Sequence, residues 1–430
     1  MIINSSKYNS HWQNKRLSEL GTFQRGKSRH RPRNDPALFA DGMYPLVQTG
    51  EIKEAGLYIR HHGATYNEFG LSQSKLWPKN TLCITIAANI AETALLGYPM
   101  CFPDSLVGFN ANPEVSSELF MHYVFTYIKR AIQNSASGST QDNINIDYLT
   151  GLKFKIPLKS EQDGIVSVLA TIDTKIEFNN CINAELEAMA KTLYDYWFVQ
   201  FDFPNVNGKP YKTSGGKMTY NPILKREIPE SWSDKKLDDI LSRTGTGLNP
   251  RDNFKLGDGN NYYITIKDIK QGKIKFTDKS DRINDEALTI IAKRSDLQKG
   301  DVLFTSIEPV GVTYLIHEKP KNWDINESVF TIRANPSKVT SEFLFMLLSG
   351  KELKSFTGNS SSGSIHKGIR HGVLKSYTFA YSGFSLTEKF TIVVKTILEK
   401  QHNIENENLA LINLRDWLLP MLMNGQVKVQ

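Results

Sequence analysis

Three cysteines, Cys83, Cys101 and Cys181, are too few to build a disulfide framework in a chain of 430 residues, so a reducing compartment, the cytoplasm, is the expected home. No apolar run reaches the ~18 residues of a transmembrane helix. The opening residues MIINSSKYNSHWQNKRL lack the apolar core of a signal peptide. No Pro-Pro dipeptide occurs anywhere, which leaves no Asn/Asp-Pro-Pro-Tyr motif for an adenine amino-methyltransferase. His61-His62 has no second ligand pair at zinc spacing, and no nucleophile elbow is present. Gly21-Thr22-Phe23-Gln24-Arg25-Gly26-Lys27-Ser28 fits the letters of a phosphate loop. Such a loop must open a helix, and here Pro32 and Pro36 follow instead. Asp35 with Glu51-Ile52-Lys53 imitates a nuclease motif, but the second half repeats it as Asp268-Ile269-Lys270, which reads as a strand end.

Acid is missing from one stretch in particular. Arg25, Lys27, Arg29, His30, Arg31 and Arg33 crowd nine residues without a carboxylate. A solvated loop is the bland explanation, but phosphate contact accounts better for the missing acids. The whole chain, with 52 Lys+Arg against 45 Asp+Glu and a net charge of +7, leans weakly the same way.

What the sequence does contain is a repeat. Stepping by four and three, Ile165, Leu169, Ile172, Ile176, Asn179, Asn183, Leu186, Ala190, Leu193 and Trp197 form a heptad seam, ended by Pro204. A shift of 225 residues gives a second seam: Phe390, Val394, Ile397, Gln401, Ile404, Asn408, Leu411, Arg415, Leu418 and Leu422. Two separate surface helices are one reading; one helix paired with the other is the better one. Asn183 falls on Asn408, and a polar residue at one shared core position can fix register. Trp12 matches Trp232, Leu82–Thr85 matches Val302–Thr305, and Glu118–Arg130 matches Glu342–Lys354 as a helix behind a Ser/Thr cap. Strands are expected at Leu152–Pro157, Tyr262–Ile266 and Gly300–Thr305. The fold class is therefore α/β (mixed α+β): globular unit, long helix, globular unit, long helix.

Ser/Gly-rich loops recur in both halves, and apart from a plain mobile loop they suit base contact. They supply Ser137, Ser139, Thr140, Gln141 and Asn143 in the first half and Ser362, Ser364, His366 and Lys367 in the second. Gln48, Thr49 and Asn89, with Thr246, Asn249, Arg251, Lys267, Ser306 and Arg370, complete the candidate DNA contacts.

Several stretches carry a family likeness: Leu193–Pro204, Asn207–Lys212 with Ser214–Met218, Leu224–Pro229 and Leu418–Gln426. Over nearly its whole length the chain resembles the specificity subunit of type I restriction-modification systems. The resemblance implies two target-recognition domains, residues 1–160 and 230–385, each reading half of a split DNA site. It implies long helices over 161–203 and 386–424, packed antiparallel as a coiled-coil spacer, with a connector at 204–229, exposed by its glycines and prolines, and a tail at 425–430. The implied partners are double-stranded DNA, two methyltransferase subunits and, through them, restriction subunits, with no membrane. S-adenosylmethionine would sit in the methyltransferase; this chain would hold no cofactor, metal or catalytic residue. A methyltransferase or nuclease in its own right and a protein-only coiled-coil scaffold are the alternatives.

Overall fold

The computed structural model describes residues 3–87, 90–137, 146–270, 272–360 and 368–429. The chain divides into two compact units, residues 1–182 with 405–430 and residues 183–404.

In the first unit a five-stranded sheet runs in the order Gly21–Arg25, Leu106–Ala111, Leu82–Thr85, Thr93–Leu96, Tyr58–Ile59. Its central strand is buried on both faces, so it reads as a continuous apolar run. Side chains alternate across a strand. Leu82 and Ile84 accordingly pack under the helix Glu118–Ser137, with Phe120, Val124 and Ile128, while Cys83 enters a separate core with Trp77 and Phe102. That second core joins a four-stranded sheet, Ala64–Tyr66, Tyr44–Leu46, Met100–Cys101, Leu76–Trp77, whose middle pair is parallel.

The second unit follows the same plan. A four-stranded sheet orders Leu241–Thr246, Val329–Ala334, Val302–Thr305, Thr313–Leu315. Val302 and Phe304 face one core and Leu303 another. A smaller sheet, Asp281–Ile283, Asn261–Ile264, Trp323–Ile325, contains one antiparallel and one parallel pairing, against two antiparallel and one parallel in the first unit's counterpart. Each unit also pairs an entry strand with an exit strand: Gln13–Arg16 with Lys153–Ile156, and Ser233–Lys236 with Thr378–Tyr381. The expected strands are thus present within a residue or two. The expected helix Glu342–Lys354 is not continuous. Gly350 takes an extended conformation and splits it into Ser341–Ser349 and Lys351–Ser360.

The long helices cover Lys159–Tyr194 and Phe384–Met423. The first passes directly into a π-helical turn at Asp195–Val199. Their seams are inward as expected: Ile165, Leu169 and Leu422 enter the first unit's core, and Ala190, Trp197, Phe390 and Val394 the second's. Within each unit the pairing is antiparallel. Asp173 meets Arg415 and Asn179 meets Asn408 in one; Asn183 meets Gln401 and Trp197 meets Phe390 in the other. Residues 204–229 are not the bare connector their glycines and prolines suggested. Asp202 accepts hydrogen bonds from Thr213, Phe203 stacks on Tyr211 and Trp232, and Met218–Asn221 pairs with Arg226–Pro229.

Candidate nucleic-acid interface

The basic stretch begins as the edge strand Gly21–Arg25 leaves its sheet, and no helix opens after Ser28. Gly26 seats it: a β-carbon there would lie 2.2 Å from the Pro103 carbonyl oxygen. The Lys27 amide then bonds to Phe102 and the Arg29 amide to Gln73. The missing acids are partly supplied from afar. Asp104 takes Arg33 at 2.5 Å and Arg31 at 3.4 Å through its carboxylate, and Arg25 Nε at 2.8 Å through its carbonyl. His30 Nε2 lies 2.7 Å from Asp35, whose carboxyl is held low by the Ala37 amide and then by His30. Arg31 and Arg33 remain about half exposed despite their partner. Among the described residues no carboxylate pairs with Lys27 or Arg29. Lys75 extends the strip, donating to Gln24 at 2.6 Å while lying 3.8 Å over the Trp77 ring. Neither Asp104 nor Lys75 was legible as part of this site, because sheet pairing brings both in from a distance.

Gln48 and Thr49 lie elsewhere in the unit. They open the short helix Thr49–Glu54, where Glu51 accepts from the Gln48 and Gly63 amides. Ser137 ends the helix Glu118–Ser137. Asn89, Ser139, Thr140, Gln141 and Asn143 lie outside the described residues, as do Ser362, Ser364, His366 and Lys367 in the second unit.

In that second unit the candidates divide. Thr246 accepts a long 3.4 Å bond from Arg294, Asn249 accepts from Asn253, and Arg251 is exposed in the adjoining turn. Lys267 pairs with Asp281 at 2.8 Å. Ser306 is a correction. It is 5% exposed and donates to Ser328, so its hydroxyl holds a loop and does not face a ligand. Its carbonyl accepts from Ile369, which brings exposed Arg370 beside this loop. The second unit also carries a layered surface: Arg282 stacks 3.6 Å over Tyr262, and Phe276 lies 4.1 Å from the same ring. Phe276 is 40% exposed, with exposed Lys270, Lys275 and Lys279 nearby in sequence. Alternating aromatics and cations were the available signal. Rings and cations of this kind suit bases and phosphates.

The register asparagines both lie buried in the helix seams. The Asn183 side chain donates to the Gln401 carbonyl at 3.4 Å and its backbone carbonyl accepts from the Gln401 side chain, while its side-chain oxygen is buried with no partner among the described residues. Asn408 accepts from Asn179 at 2.9 Å and donates to Asn180 at 3.0 Å. The partners found for each lie within its own unit. Among the described residues no cluster of three or more His, Cys, Asp or Glu could hold a metal ion, and no helix is long and apolar enough to cross a membrane.

The chain is thus a duplicated mixed α/β module, each copy bearing cationic surface loops and continued by a long helix. The chain belongs to the type I restriction modification DNA specificity domain family, whose profile matches residues 9–188 and 229–381. It is 22% identical over 424 residues to the type I restriction enzyme MjaIX specificity subunit of Methanocaldococcus jannaschii, covering 97% of this chain and 94% of that one. It is 25% identical over 373 residues to the HindI specificity subunit of Haemophilus influenzae, covering 74% and 79%. The fold is shared with the type I restriction-modification S subunit from M. genitalium, with a TM-score of 0.59 at 16% identity over 98% and 99% of the two chains. The family resemblance read from the sequence is thereby confirmed.

Proposed function

We propose that this chain is the non-catalytic DNA-specificity subunit of a type I restriction-modification complex, working in the cytoplasm. Each unit's recognition domain reads one half of a bipartite target in double-stranded DNA. The paired helices set the gap between half-sites and dock two methyltransferase subunits, which carry S-adenosylmethionine and in turn the restriction subunits. The carrying observation is the repeat itself. The same order of four sheet strands and the same entry and exit pairings occur twice, with different residues in the loops. Duplicated scaffold with divergent loops is what a two-part recognition site requires, since loops carry specificity and the scaffold only positions them.

Binding of a random-sequence duplex, measured against salt on the assembled complex, tests the DNA assignment. Phosphate contacts predict log affinity falling linearly with log salt, by several units of slope. An affinity indifferent to salt would favour the protein-only scaffold. Methyl transfer or DNA cleavage by this chain without partners would instead reveal an enzyme.

A further inference from the structure

The two long helices are repeats of one another, so either could in principle pair with its own kind from a second copy of the chain. The polar residues of their seam are placed unequally. In the first unit Asp173, 8% exposed, accepts from Arg415 Nη1 at 2.8 Å and from the Tyr123 hydroxyl at 2.7 Å. Arg415 also bonds Asp416 at 2.8 Å. The 225-residue shift carries Asp173 onto Leu398 and Arg415 onto Ala190. Matching Glu118 with Glu342 carries Tyr123 onto Leu347. Leu398, Ala190 and Leu347 all lie in the apolar core of the second unit. At these three positions one unit thus holds a carboxylate, a guanidinium and a phenol, and the other only apolar side chains.

We propose that this triad is a pairing code that makes the first long helix accept the second and refuse a copy of itself. Two first helices in the same antiparallel register would set each Asp173 against Ala190 of the other copy. Two carboxylates would then be buried without their guanidinium. Two second helices would set each Arg415 against Leu398. Asn408 adds to the second exclusion, since it would face Ile404 in place of Asn179, its present donor. A buried charge that loses its partner is strongly unfavourable, whereas removing every polar member together leaves no orphan. The code therefore acts against the wrong pairing more than in favour of the right one, as buried polar groups do in other helix pairs.

The test uses the full chain in two differently tagged versions, mixed, unfolded, refolded together and captured by one tag. The wild type should co-capture no more of the second tag than versions refolded apart. The triple variant Tyr123→Phe, Asp173→Leu, Arg415→Ala should fold, and should co-capture several-fold more as a dimer. A folded triple variant that exchanges no more than wild type overturns the proposal. If the triple variant does not fold, a mixture of Asp173→Arg chains with Arg415→Asp chains decides. Their mixed dimer restores opposite charges at both seams, so the mixture should co-capture while neither variant does so with itself. Equal co-capture by the mixture and the single variants contradicts the code.

Discussion

Asp104 governs how much of the basic loop's charge is available. The sequence shows six cationic or titratable residues between positions 25 and 33 and no acid. It cannot show that Asp104 is delivered to them by the turn preceding the strand Leu106–Ala111. Arg29, unpaired among the described carboxylates, should contribute a full phosphate contact. Arg29→Ala is predicted to flatten the log–log salt slope of duplex binding by about 1, whatever the sequence. Asp104→Asn should do the reverse, freeing Arg31 and Arg33 and raising affinity at low salt. Anisotropy titrations over a range of salt check both. A second residue-scale expectation concerns pH. Burial pushes the His122 imidazole, whose Nδ1 lies 3.0 Å from the Thr93 hydroxyl, down to about 4. His317, stacked on His402, is also lowered to about 4, first by burial and then by its neighbour's charge. Unfolded rings take up protons from about pH 6.5 downward, and the folded ones only near 4. Their contribution to stability is therefore complete above pH 6.5 and lost as pH falls toward 4, at no more than about 1.4 kcal/mol per pH unit for each ring. Urea unfolding across this window should show a smaller pH slope for His122→Gln than for wild type.

The long helices were the most legible elements, because a heptad states which side chains go inward without reference to anything else. Their exact partners were not. Asn183 and Asn408 are equivalent by repeat, yet the offset between two antiparallel helices depends on cores that lie far away in sequence, and Gln401 and Asn179 became their partners. The end of the first helix was likewise hidden. Asp195–Val199 opens into a π turn, and the 225-residue shift carries Asp195 onto Pro420, so both helices depart from regular hydrogen bonding at the same place. The π turn puts the adjacent rings Trp197 and Phe198 into the core together. Phe198 packs within 4.8 Å of Phe343 and 5.1 Å of Phe390, and against Tyr194, Trp197 and Trp232. Phe198→Ala should cost about 3–5 kcal/mol in a denaturant titration, whereas exposed Phe178→Ala on the same helix should cost little. The split at Gly350 escaped sequence reading because the apolar spacing continues across it into Leu353.

At the level of the whole molecule the internal repeat was visible as scattered matched residues, and the structure turns these into matched sheets. The divergent residues stayed opaque because loops that differ between the two copies share no pattern from which to infer contacts. If the helices act as a ruler, one heptad added to each should lengthen the pair by about 10 Å. That is roughly 3 base pairs at 3.4 Å each. The methylated motif should then keep both half-sites with a longer gap, or methylation should stop because the second domain has rotated off its groove. Full methylation at the original gap would show that the helices do not set the distance. The central claim, that each domain reads its own half-site, is tested most directly by exchanging residues 230–385 for the same region of a relative and sequencing methylated adenines in the host. One half of the methylated motif should change and the other should stay as it was. A change in both halves, or in neither, would contradict independent reading by the two domains.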